Sequence, residues 1–432
     1  MNRDNTSQQP LLGKLGSKML PPTDLMYLAA IAEDAGCDAK IADYSLGGSL
    51  EKDLLEFKPN YIVSNVSTTF FKKDLESLEH AKKILPTTKI IVFGTICRSY
   101  NINAIYEKNF LDYVLVGEGE FALKEILENQ ADEQILGICH RKNFQGVKNP
   151  QRPLLENPDD LPFPARHLID NCIYIGYNKK PQAVIKVAKG CPVNCFHCLA
   201  TSCHGTQIRT RSAESIINEI KECINKYKIK NFLFDADNFG YDTLWLIDFC
   251  DKLIKAKLNI NWSAKICTAK ITPELANIMH KSGCKHITVS AKHANIQILN
   301  NIGNVCNTEE IKATVNALKK HKIKIDCEFT LGLPWENKNS INEVINFAQT
   351  LKCDYFTFNA AVPFPNTKFY QYAMQNRLFD LTSTYEQAYS FPVIRTHDLS
   401  KEELFRLIKT TKKICNQKSF LNFIKSYKYT MA

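Results

Sequence analysis

No apolar run in this 432-residue chain approaches the ~20 residues needed to cross a bilayer. The opening MNRDNTSQQP lacks the apolar stretch of a secretory signal, so nothing suggests export. There is no internal repeat and no low-complexity segment, which argues against a solenoid and against extended disorder. No dense basic tail is present either. Lys226-Tyr227-Lys228-Ile229-Lys230 alternates with apolar residues, and the net charge of +10 is otherwise mixed with acidic residues along helix faces. Nucleic-acid binding is therefore disfavoured. No peptide-recognition or lipid-binding element stands out, so the substrate, small molecule or peptide, stays open.

What is present is cysteine, sixteen of them. The chain is too long for a disulfide framework, and cysteines such as Cys37, Cys97, Cys139, Cys250 and Cys415 are scattered singly. That pattern fits a reduced, cytoplasmic protein in which most act as small buried apolar residues. Three are different. Lys189-Gly190-Cys191-Pro192-Val193-Asn194-Cys195-Phe196-His197-Cys198 carries the spacing CxxxCxxC just after the β-branched run 183–188. Thiolates are soft anionic donors, and three on one loop can hold three irons of a [4Fe–4S] cluster while the fourth takes an outside ligand. Zinc is the alternative, with Cys203 or His204 as a fourth ligand, but zinc pairs normally come as CxxC and the first gap here is three residues.

A length of 432 residues sets a prior of two domains, and 44% hydrophobic with 23% charged residues is ordinary for a globular chain. From about 20 to 130 strands and helices alternate. A helix follows Thr23 as N-cap and closes at Gly36. Strands are expected at 61–63, 90–93 and 113–116, with a helix carrying Leu75, Leu78, Ala81 and Leu85 between the first two. The stretch 131–180 reads as a connector, since Pro153, Pro158, Pro162 and Pro164 oppose regular structure. Six strands follow at 183–188, 231–235, 259–264, 286–290, 324–331 and 354–360. Helices between them are capped by Ser212, by Thr272 with Pro273, and by boxes at Asn307/Glu310 and Ser340/Glu343. The fold class is α/β: an open parallel, Rossmann-like sheet over 1–130, a six-stranded partial (β/α) barrel over 181–380, and a helical tail over 381–432. Barrel sites lie at the C-terminal ends of strands, where the cysteine loop begins.

The cysteine run is similar to the cluster motif of the radical S-adenosylmethionine (SAM) enzymes, and the whole chain resembles their cobalamin-binding branch. Pro21 to Ala30 is like the branch's PPLGLxYLAA, and Asp112 to Glu120 like its DyvvxGEGE. Leu161 to Arg166 matches LPFPAR, Arg209 to Ser212 resembles RxRS, Gly332 to Glu336 resembles GLPxE, and Pro363 to Thr367 resembles PxPGT. The resemblance implies a cluster on Cys191, Cys195 and Cys198, with SAM on the open iron. His197, Asp237 and Asn238 would lie against SAM, and Gly94, Thr95, Gly117 and Glu118 against cobalamin. It implies a methyltransferase acting on an unactivated carbon, with oxidative cyclisation or rearrangement, or a non-catalytic cofactor-binding protein, as alternatives. An electron donor such as flavodoxin or ferredoxin would be its partner. Three features depart from the branch. No apolar strand precedes Pro21, DxHxxG is missing, and Lys292 and Asn366 stand where GxES has Glu and PxPGT has Gly.

Overall fold

The computed structural model describes residues 20–429 apart from 68–69, 95–106, 144, 268–269, 304–305, 380–387 and 389–390, with side chains to residue 416. Two sheets form. In the first, β1 (Tyr61–Asn65), β2 (Lys89–Phe93) and β3 (Tyr113–Leu115) run parallel, and β4 (Ile138–Lys142) and β5 (Gln145–Lys148) continue it antiparallel. Alternating side chains send Ile90 and Val92 to one face and Ile91 and Phe93 to the other. The first face packs on α3 (Phe71–Ile84) through Leu75 and Leu78. The second packs on α1 (Thr23–Asp34) and α4 (Glu120–Leu127) through Leu28, Ile31, Leu123 and Ile126. A further helix, α2, spans Leu50–Phe57.

β4 and β5 correct the expectation of an irregular connector from 131. Ile138, Cys139 and His140 are fully buried beside β3, so the hairpin completes the sheet, and the prolines begin only after it. Thr23 is also not a cap. The helix starts at Thr23 itself, whose hydroxyl donates to the Pro21 carbonyl.

The second sheet holds β6 (Gln182–Lys189), β7 (Arg209–Thr210), β8 (Asn231–Ala236), β9 (Asn261–Ile266), β10 (Cys284–Lys292), β11 (Lys324–Leu331) and β12 (Tyr355–Ala360). Their order is β12-β11-β10-β9-β8-β6-β7, parallel throughout except the two-residue β7. The helices are α5 (Ala200–His204), α6 (Ala213–Tyr227), α7 (Thr243–Ala256), α8 (Pro273–Lys281), α9 (Ile296–Asn301), α10 (Thr308–Lys320), α11 (Lys338–Thr350), α12 (Lys368–Gln375) and α13 (Lys401–Tyr429). Parallel neighbours in chain order, joined by crossovers of one hand as such connections generally are, put the covering helices on one face. There Ile185, Phe234, Trp262, Ile287, Phe329 and Phe358 meet α6, α7, α8, α10, α11 and α13 in one apolar core. Ser212, Thr272 and Asn307 cap as expected. The box at α11 is instead Asn337 with Ser340, because the helix begins three residues earlier.

The opposite face of this sheet is polar. Lys265 on β9 pairs with Glu328 on β11 at 2.5 Å, reaching across β10 to do so. The amide of Asn359 on β12 donates to the same carboxylate. Charged residues at alternate positions of buried strands are costly unless paired, so this face is built for something other than packing.

Candidate active site

The cysteine loop leaves the C-terminal end of β6. Gly190 turns it at φ +91°, and a Cβ there would lie 2.0 Å from the Gln207 carbonyl oxygen, so only glycine fits. Asp237, after β8, fixes the loop base by accepting from the Gly190 amide and pairing with His204 Nδ1, both at 2.7 Å. Burial pushes the Asp237 carboxyl up, but His204 and these bonds outweigh it and hold the group below the usual carboxylate value. Further along, Phe196 sits against Trp335, Phe369 and Tyr372 at ring separations of 5.1, 5.3 and 5.9 Å. Its amide donates to the Ile302 carbonyl, and its carbonyl accepts from the Phe369 amide. The loop is thus clamped at its base and at its tip.

Between the clamps, Cys191, Cys195 and Cys198 gather with Val193 and Ala200. Asn238 Nδ2 donates to Cys191 Sγ at 3.6 Å, and the Ala200 amide to Cys198 Sγ at 3.4 Å. Burial pushes the Cys195 thiol up to about 12, with the neighbouring cysteines adding to the rise and Lys292 opposing it. Three thiolates in this space need a cation between them. Among the described residues no His, Cys, Asp or Glu side chains converge as a ligand set for one ion. Neighbouring soft sulfur donors, two of them accepting N–H bonds, are the ligand type that an iron–sulfur cluster takes. His204 is held by Asp237, and Cys203 is buried on α5 outside the gathered thiols, so neither expected zinc ligand is in place.

Of the residues expected at SAM, His197 is 4% exposed, and burial, with the charges of Lys292 and Lys265, lowers it to about 3. It is a neutral ring. Asp237 and Asn238 serve the cysteine loop itself. Of those expected at cobalamin, Thr95 lies outside the described residues. Gly94 (φ +128°) exists for the chain: a Cβ would lie 2.6 Å from the Val66 carbonyl oxygen. Gly117 (φ +80°) does face open space, with nothing within 4 Å of where a Cβ would stand.

Glu118 has a different task. Its carboxylate takes both terminal nitrogens of Arg209, at 2.8 and 2.9 Å, and the Leu155 amide at 2.8 Å, with Lys189 3.6 Å away. Burial raises its pKa and these partners outweigh that rise, leaving the carboxyl below its usual value. Glu120 pairs with Lys189 at 2.9 Å. Asp24 pairs with Lys186, and Arg166 and Arg211 share the buried Glu219 while donating to the β6 carbonyls of Val184 and Lys186. The expected motifs at 118–120, 161–166 and 209–212 are therefore one ionic seam. It brings the C-terminal edge of the first sheet against the strand end that bears the cysteines.

The radical SAM superfamily model matches residues 185–348, the span from β6 into α11. Residues 185–348 form a radical SAM domain. The chain is 27% identical over 399 residues to an uncharacterized methyltransferase of Pyrococcus horikoshii, covering 90% of this chain and 86% of the relative. It is 23% identical over 407 residues to the anaerobic magnesium-protoporphyrin IX monomethyl ester cyclase of Cereibacter sphaeroides, covering 89% of this chain and 65% of that protein. Its fold is similar to that of the radical SAM methyltransferase TsrM of Kitasatospora setae, solved with cobalamin and a [4Fe–4S] cluster. That likeness has a TM-score of 0.69 at 17% identity and covers 83% of this chain and 76% of TsrM. The seam residues and the polar inner face were not assigned from sequence. The signal for the latter was there, in polar residues at a period of two along strands otherwise apolar, such as Asp326, Glu328 and Thr330.

Proposed function

We propose that the chain carries a [4Fe–4S] cluster on Cys191, Cys195 and Cys198, SAM on its open iron, and cobalamin on the edge of the first sheet by Gly117. In this reading the second sheet is a partial barrel and the first a Rossmann-like cofactor domain. The reaction is methyl transfer to an unactivated carbon. When bound, these groups supply one-electron cleavage of SAM and a methyl group for carbon. The chain's own residues place them. Asp237 and Gly190 set the start of the cysteine loop, and Phe196 sets its far end. Asn238 and the Ala200 amide donate to thiolate sulfur, which favours the ionised ligand.

The observation that carries the reading is the ionic seam. Ligands of open parallel sheets bind beyond the carboxyl ends of the strands. Glu118 and Glu120 leave β3 at that edge, and Lys189 ends β6 one residue before Gly190 and Cys191, so a group held on one edge would face a group held on the other. Similarity to the cyclase over most of the chain supports ring closure by the same hydrogen abstraction as the second reading. Its product would not gain a carbon.

The test is anaerobic. Protein reconstituted with iron and sulfide is expected to cleave SAM to 5′-deoxyadenosine and methionine when given dithionite or reduced flavodoxin. It is also expected to retain about one equivalent of hydroxocobalamin through gel filtration, by the one-crevice logic of the sheet edge. A full cluster with no cleavage under either reductant overturns the radical chemistry. Cleavage without cobalamin retention overturns the methyltransferase assignment alone.

A further inference from the structure

Three segments meet at the tip of the cysteine loop. They are residues 190–208, with the loop and α5, residues 293–303, with α9, and residues 361–379, with α12. Hydrogen bonds tie them together. The Phe196 amide donates to the Ile302 carbonyl at 3.0 Å, and the Phe369 amide to the Phe196 carbonyl at 2.9 Å. The Ser202 hydroxyl donates to the Asn366 carbonyl at 3.2 Å. A Cβ on Gly303 would stand 3.6 Å from the Asn194 carbonyl oxygen.

None of the residues in these segments is Asp or Glu, although 45 of the chain's 432 residues are acidic. At that density about five would fall there. The exposed side chains are neutral or basic instead. Asn194, Asn301, Asn366 and Gln371 present amides, and Lys368 and Arg377 present cations. Arg395, also exposed, donates to the Arg377 carbonyl at 3.3 Å and adds a third positive charge. Ile296, 57% exposed at the start of α9, is an apolar anchor beside them. Acid returns only at the border, where the Asn295 amide takes both oxygens of Glu343 on α11 at 3.1 and 3.0 Å.

Soluble surfaces ordinarily intersperse both signs of charge. A face stripped of one sign suits a partner that carries that sign, since like charges set against each other oppose docking. The partner for this face is acidic. Its task follows from the position. Asn194 lies between Cys191 and Cys195, and Phe196 follows Cys195, so the face is the outer side of the loop that gathers the thiols. A redox group seated on it is separated from those sulfurs by that loop alone.

We propose that this acid-free face docks a small acidic protein bearing a one-electron flavin or iron–sulfur group. One electron passes from the reduced donor to the cluster, and no bond is made or broken. The need for that electron rests on the function proposed above. The charge pattern of the face does not.

The test reverses two charges. Lys368→Glu/Arg377→Glu is compared with Lys52→Glu/Lys72→Glu on α2 and α3, which changes the net charge equally, after circular dichroism shows both folded as wild type. Stopped flow follows bleaching of the cluster by reduced flavodoxin or ferredoxin, and separately by dithionite. The first variant is expected to slow bleaching by the protein donor about tenfold or more at low salt, the scale of electrostatic steering. The gap should close near ~1 M salt, where charges are screened within about 3 Å. Dithionite rates, and both rates in the control variant, should stay at wild type. Equal slowing in the control means that net charge alone acts, and equal slowing with dithionite means that the charges tune the cluster. Either result overturns the docking face, as does an unchanged rate or a wild type that only dithionite bleaches. A wild type that loads no cluster overturns the function proposed above instead. Calorimetry of cluster-free protein with oxidised flavodoxin then decides the face alone: loss of binding in the first variant only supports it, and any other pattern overturns it.

Discussion

At the residue scale the three loop cysteines are separated from the other cysteines by what surrounds them. Each lies beside the other two, and two of them accept N–H donors. Cys203, five residues past Cys198, is buried on α5 and is not among the residues that gather with the three. Replacing Cys191, Cys195 or Cys198 by Ala removes a soft anionic ligand that water cannot replace. Iron content and charge-transfer absorbance of the reconstituted protein are expected to collapse in each of the three and to hold in Cys203→Ala. Equal loss in Cys203→Ala would show a four-cysteine site and close the open iron. The cysteines were legible because spacing along one loop is a local property. The tasks of Glu118, Arg209 and Arg211 were not, because Glu118 and Arg209 are 91 residues apart and meet only when the two sheets do. Asn366 is an intermediate case. Its φ of +63° shows why Asn can stand where the related motif has Gly, since Asn tolerates the left-handed region. That could not be read from the letter alone.

At the scale of elements, the apolar runs marked the six parallel strands of the second sheet to within about two residues, the usual limit for boundaries, while the two-residue antiparallel β7 was missed. β4 and β5 escaped because their sequence, with Asn143 at the turn and Gly146 inside β5, reads as loop until β3 is there to pair with. The turn from β11 to α11 has a pH dependence of its own. Glu336 is fully buried, and its two oxygens accept the Gly332 and Leu333 amides. Burial pushes its carboxyl up to about 8, although the two amides pull the other way. His293, its titratable neighbour at 3.7 Å, stays neutral because burial lowers it to about 4. An unfolded Glu titrates near 4.3, so between that value and about 8 the folded state holds a proton that the unfolded state has lost. This group's contribution therefore falls as pH rises through that window and is flat above it, by at most about 1.4 kcal/mol per pH unit. Urea midpoints of wild type and Glu336→Gln at pH 5, 6.5 and 8 check this. The variant is expected to lose the decline, and parallel curves would show that Glu336 is ionised throughout.

At the scale of the molecule, two sheets are held edge to edge, and the seam that does this is ionic and buried. Glu118 and Arg209 are each 4% exposed at the side chain. A buried pair adds little over a well-packed apolar pair, but removing one partner strands a charge and costs about 3–5 kcal/mol. Glu118→Leu and Arg209→Met are therefore each expected to lower the unfolding midpoint sharply. The double variant should recover part of the loss, because neither charge is then left alone. Stranding Arg209 also disturbs the turn it supports through the His204 carbonyl, five residues before β7 begins and next to the Gly205 carbonyl that receives the Cys191 amide. Iron retention should fall with either single variant and stay low in the double, which also lacks the Arg209 bond to the His204 carbonyl. Thermal unfolding of the cluster-free protein, followed by iron analysis after reconstitution, reads both effects in one set of samples. Strictly additive losses would mean that the two charges act independently and that some other contact sets the first sheet against the cysteine loop. Recovery in the double variant would fix this pair as the joint across which the two cofactor edges are aligned.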